Sequence, residues 1–205
     1  MDLKSMGRTW INATTRPSEA TFEREASKPY ASLTTAFVWV IIVSAIVGII
    51  GAINVLAGGL PADAEGALGD IALAGSGILM ALSLVGISVF QLVLFFAVAS
   101  VMFLLARMFG GTGAYGKHVY IIATFAAPLT VVIGAMSFVP VLGTYLIYAL
   151  VFYKTVLAFH AFKAVHDLPP VKAALVASVP LVYFIPFLLL KLIADYSSVA
   201  TPPLG

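Results

Sequence analysis

The chain has no cysteine. That excludes disulfides, thiolate metal sites and lipidation through Cys. Charge is scarce too: 10% of the 205 residues are Asp, Glu, Lys or Arg, against about 25% in an ordinary soluble domain. The formal net charge is +2 and no basic run occurs, so nucleic-acid binding has no electrostatic footprint. No long apolar run precedes Leu33, and no cleavable signal sequence is expected.

Acid is absent where it would matter most. The nine acidic residues all fall in loops, tails or segment ends. Proton- and cation-coupled transporters usually bury a carboxylate to carry the coupling charge, so this weighs against a secondary transporter. The same distribution leaves no Ser/His/Asp constellation. No catalytic residue, cofactor or enzymatic activity is expected.

What remains is apolar. Hydrophobic residues make up 61% of the chain, and the mean hydropathy is +1.08. A soluble protein of this size could not hide that much apolar surface. The expectation is an all-α, polytopic transmembrane bundle. A span needs roughly 20 apolar residues, which places five, at about 33–57, 83–108, 119–138, 141–165 and 171–194. Residues 1–32 are expected to form a cytoplasmic tail, 33–195 the bundle and 196–205 a short outer tail. Within the first tail, Thr15-Arg16-Pro17-Ser18-Glu19 reads as a helix start. It would open a short amphipathic helix to about Ser27, lying at the membrane surface. A solvated tail is the alternative.

Ile71–Phe109 is too long for one straight span: at 1.5 Å per residue it would run about 58 Å against a core of about 30 Å. Gly75, Gly77 and Gly86 offer break points. An outer approach helix, about Ala67–Leu82, is therefore expected before the second span. Basic residues set the orientation. Residues 1–32 hold five of them, Arg107 and Lys117 flank the loop after the second span, and Lys163 and Lys172 flank the loop after the fourth. Five spans place all of these in the cytoplasm and the C-terminus outside.

Few residues invite a chemical reading. Gly111-x-Gly113-x-x-Gly116 spells a dinucleotide fingerprint, but that works only between a strand and a helix. Here the glycines more simply make a tight cytoplasmic loop, Gly110, Gly111, Tyr115 and Gly116 included. Lys154 is the one charge deep in a predicted span. Its amine is expected to snorkel toward the His160 level at the cytoplasmic side. The alternative is a polar or lipid-phosphate contact site of Lys154, His160 and Lys163. His118, His160 and His166 could ligate a metal, but their spacing does not demand one. Two small-residue ridges, Ser44, Gly48 and Ala52 in the first span and Ala126, Thr130 and Gly134 in the third, suit close helix packing or a dimer contact.

Several short motifs then stand in order along the chain. They are Arg16-Pro17-Ser18-Glu19-Ala20-x-Phe22, Ala106-Arg107-Met108-Phe109-Gly110-Gly111, Tyr115-Gly116 and Ala127-Pro128. Val139-Pro140-x-x-Gly143, His160, Val165-His166-Asp167-Leu168 and Lys172-Ala173 follow, then Pro180. In this order and spacing the chain resembles the Yip (Ypt-interacting protein, Yip-one domain) family of five-span membrane proteins, from about Arg16 to Leu188. The resemblance implies a cytoplasmic N-terminus and an outward C-terminus. Eukaryotic members are associated with Rab-type GTPases and early secretory membranes and carry a longer N-terminal region. The short tail here is similar to the prokaryotic-type members and argues against GTPase binding. Partners expected are the lipid bilayer and other membrane proteins or further copies of the chain. The function expected is that of a non-enzymatic membrane-organising scaffold, the alternative a small permease-like component of a larger complex.

Overall fold

The computed structural model describes residues 3–57, 67–139 and 142–200. The expected acidic loop between the first two spans, the Pro140 turn and the last residues of the outer tail lie wholly or partly outside these. Every regular element among the described residues is an α-helix: α1 (Leu3–Thr15), α2 (Glu19–Ala26), α3 (Leu33–Ala57), α4 (Ala67–Met108), α5 (Tyr115–Met136), α6 (Leu142–His166), α7 (Pro170–Ala177) and α8 (Val179–Ala200). Leu33–Asn54, Met80–Met108, Tyr115–Met136 and Leu142–His166 are long and apolar enough to cross a membrane. A fifth span forms if α7 and α8 are counted together, since they meet at a bend of 43°. The cause is Pro180, which has no N–H to give to a preceding carbonyl. Leu181 N instead donates to Ser178 O at 2.8 Å.

The N-terminal segment is more ordered than a surface helix on a tail. α1 was not foreseen, and Thr15 closes it by donating from Oγ1 to Ile11 O at 2.7 Å. The cap that opens α2 is Ser18, whose Oγ accepts from Thr21 N at 3.2 Å. The two helices lie along the bundle rather than apart from it. Ala13 and Phe22 are fully buried. Trp10 meets Trp39 of α3 edge-on at 5.9 Å, and Phe22 meets Phe125 of α5 at 5.9 Å. The outer faces of the pair carry exposed Lys4, Arg8, Glu23 and Arg24.

The expected break between Gly75 and Gly86 is absent: α4 is one helix of 42 residues. Glycine costs a helix interior about 1 kcal/mol relative to Ala but still supplies its N–H. No proline interrupts the segment, so the ladder of backbone hydrogen bonds continues. Among the described residues no side chain at Gly75, Gly77 or Gly86 would meet a neighbour, so packing among them imposes no kink there either. At 1.5 Å per residue α4 is about 63 Å long. Even tilted by about 40° it covers about 48 Å and must project beyond the hydrocarbon layer.

Its register on α3 comes from small residues. A Cβ on Gly48 would lie 2.1 Å from Ser88 Oγ and 2.5 Å from Leu84 O. Ser44 and Ala52, one turn to either side, are buried. The first ridge thus sits against α4 of the same chain. Gly48→Val has to push the two helices apart against a backbone carbonyl, and overpacking of this kind costs about 2 kcal/mol. A thermal midpoint in detergent equal to wild type for this variant would refute the close approach.

Candidate functional site

At one end of the bundle the chain's glycines and histidines meet. α4 ends in a Schellman motif: Gly111 N donates to Ala106 O at 2.8 Å and Gly110 N to Arg107 O at 3.0 Å. Gly110 takes φ +94°, where a side chain would be strained. The loop then presses on the last turn of α6. A Cβ on Gly113 would lie 2.5 Å from Val165 O, and one on Gly111 would lie 2.9 Å from His166 Nδ1. Thr112 N donates to His166 O at 3.3 Å, and Arg107 donates to Gly111 O at 3.0 Å. Tyr115 packs on Phe103 and its hydroxyl lies 2.9 Å from Ser100 Oγ. Gly116 passes beside the start of α3. The loop's glycines therefore serve close packing, between two helices, and not a strand-to-helix phosphate cradle.

Beneath the loop, His118 Nδ1 and His166 Nε2 are 2.8 Å apart and His118 Nε2 is 2.9 Å from Ala99 O. Both rings are buried among Phe103 and Phe162, and His118 stacks on Phe162 at 5.2 Å and 10°. A carbonyl oxygen can only accept, so His118 Nε2 carries a proton. With both rings neutral, His118 Nδ1 accepts and His166 Nε2–H donates. His160 takes no part: it lies against Phe159. Among the described residues no three His, Asp or Glu side chains are grouped to hold a metal ion.

A second polar cluster ties α1 and α2 together. The fully buried Glu25 accepts through Oε2 from Thr9 at 3.1 Å and from Lys28, and Lys28 also donates to Thr9 at 3.1 Å. Lys163 of α6 pairs with Glu19 at 2.5 Å. These contacts were missed in the sequence because the acids read as solvated tail charges.

Lys154 does not reach the His160 level. Its ammonium donates to Thr130 Oγ1 on α5 at 2.8 Å, and Thr130 stands as far along α5 from His118 as Lys154 stands along α6 from His166, so the amine stays at its own level. The three residues expected as one polar site are therefore split, Lys154 with Thr130 and Lys163 with Glu19. The amine and Thr130 line a cavity of about 310 Å³ between α4, α5, α6 and α8, together with Gln91. Ala126 lines the cavity as well, whereas Gly134, two turns on, faces Ile50 of α3. Residues four apart drift about 40° around a helix, so the second ridge faces two neighbours.

Four apolar spans, or five with the bent pair, on an all-helical scaffold define a multi-pass membrane protein. The family model described as Yip1 domain matches residues 11–191, and the chain belongs to that family. No curated protein and no solved structure matches the chain.

Proposed function

We propose that this protein is a non-enzymatic membrane-organising scaffold, with its N-terminal helices and glycine loop in the cytoplasm and its C-terminus outside. The observation that carries the reading is the α1–α2 pair. It is held to the spans by Phe22, Ala13 and the Glu19–Lys163 pair and presents a fixed, charged surface. Such a surface is suited to holding a partner beside a bilayer. A solute pathway is less well supported, because the end of the bundle around His118, His166, Phe103 and Phe162 is packed shut. The distribution of Lys and Arg supports the orientation, and the family resemblance supports a prokaryotic cell membrane as its setting.

Two measurements test the reading together. Topology reporters fused after Gly113 and after Gly205 are expected to report cytoplasm and outside, respectively. A cytoplasmic signal after Gly205 would sink the five-span arrangement. Purification from native membranes in mild detergent is expected to bring down a membrane-associated protein that Arg8→Glu with Arg24→Glu loses. Retention of the same protein by that double variant counts against the charged surface as the platform.

A further inference from the structure

The cavity beside Lys154 has a shape and a charge that call for a particular occupant. Each of three helices contributes a stretch of similar length, Gln91–Met102 on α4, Ile122–Ile133 on α5 and Ile147–Ala158 on α6. At 1.5 Å per residue each is about 16 Å long, so the cavity is a slot running along the helices. Pro180 and Phe184 of α8 form its remaining side. Among the described residues its wall is apolar except at Gln91, Thr130 and Lys154, and none of those lining it is acidic. A volume of about 310 Å³ accommodates on the order of ten groups of the size of a water molecule, at about 30 Å³ each. That suits one acyl chain and not two.

The depth of Lys154 is marked independently. Tyr153, its neighbour, donates from its hydroxyl to Thr14 O at the end of α1. α1, α2 and the link between them carry exposed Lys4, Arg8, Arg16 and Arg24, which require water or headgroups around them. The reach of this charged pair along α6 therefore brings the headgroup region to the neighbourhood of Tyr153 and Lys154. An ammonium at that depth, hydrogen-bonded to a neutral hydroxyl, has no counter-charge among the described residues of the cavity, in a membrane that contains phosphates.

From the cavity, the missing counter-charge and the depth, we infer that the slot holds one acyl chain of an anionic glycerophospholipid, its phosphate paired with the Lys154 ammonium and its second chain left in the bilayer. Thr130 holds the ammonium in place, and Gln91 is available to the headgroup oxygens. The inference goes beyond the scaffold role and does not depend on it.

The test is native mass spectrometry of the purified full chain in a mild neutral detergent, supplied in turn with phosphatidylglycerol and phosphatidylcholine. Wild type is expected to retain one phosphatidylglycerol and not to retain phosphatidylcholine. Lys154→Met should lower the retained fraction at least tenfold, and Lys154→Arg should keep it. Ala126→Phe, which fills the slot and leaves the lysine in place, should lower it as well. Lys117→Gln, at an exposed site near the start of α5, should leave it unchanged. Equal retention of the two lipids, wild-type retention by Lys154→Met or Ala126→Phe, or loss in Lys117→Gln would each overturn the inference. If Lys154→Met does not fold, the Ala126→Phe result decides.

Discussion

Phe22→Ala should release the α1–α2 pair from the bundle, at a cost of about 4 kcal/mol. The side chain is fully buried, and its ring sits edge-on to Phe125 at 5.9 Å. Truncating a buried Phe costs about 3–5 kcal/mol through lost transfer energy and the cavity left behind. Those magnitudes were established where water is the competing solvent. Between helices immersed in lipid that driving force is missing, because lipid tails are as apolar as the core. Phe22 belongs to a helix whose outer face carries Glu23 and Arg24, so its alternative environment is aqueous and the full penalty applies. At about 1.4 kcal/mol per tenfold, the population of chains with α2 detached rises roughly a thousandfold. Trypsin reads this directly, since Arg8 and Arg24, each inside one of the two helices, become cleavable once the helices unwind. Ile11→Ala is the control, at a side chain 62% exposed, and should change stability by no more than about 0.5 kcal/mol. A Phe22→Ala chain cut no faster than wild type would show that the burial of Phe22 does not hold the pair down.

How far the sequence reached is best judged element by element. The spans were readable because membrane immersion demands long apolar runs, and α3 and α6 fall within a residue or so of the expected limits. α5 starts at Tyr115, four residues before its expected start at Val119; Gly111 and Gly113 let the loop before it press against the end of α6 with no side chain in the way. α1 was passed over because its charges and Gly7 mask a real periodicity. Met6, Trp10 and Ala13 recur at helical spacing, and all three belong to or pack against the core. The break expected in α4 rested on its length, with glycines as the break points, but glycine weakens a helix without removing a hydrogen bond and the extra length projects beyond the hydrocarbon layer instead.

Of the candidate site residues, the glycine loop could be placed from its neighbours along the chain, but what it packs against could not. His118 and His166 stand 48 positions apart. Span counting brings them to the same end of the bundle, and only the rotation of α5 and α6 about their axes turns the two rings toward each other. Lys154 was misplaced for the same reason. The length of its side chain allowed the snorkelled position, but the hydroxyl that accepts its hydrogen bond lies on another helix, 24 positions away. The apolar period in a span is weak when both lipid and protein favour the same residues, so the sequence says little about which face looks inward.

His118→Ala is expected to cost about 3 kcal/mol, and the route by which it does so can be separated into parts. The ring is buried, stacks on Phe162 and meets Phe103 edge-on at 5.5 Å. Its removal leaves a cavity between α4, α5 and α6. It also strands His166, whose Nε2–H then has no acceptor, while Nδ1 is already without a partner among the described residues. A buried donor left unpaired costs about 1–3 kcal/mol. His118→Phe keeps the ring volume and so should show the polar part alone, about 2 kcal/mol. His166→Phe should behave likewise from the other side. If the hydrogen bond between the rings is what holds them, His118→Phe with His166→Phe costs clearly less than the two single changes added together, because no donor is then left stranded. Thermal midpoints of the three variants in one detergent, converted on a common unfolding enthalpy, give the coupling. Additivity within about 0.5 kcal/mol would mean that the two rings are merely neighbours, and that the glycine loop, through Thr112 N to His166 O, fixes the end of α6 without them.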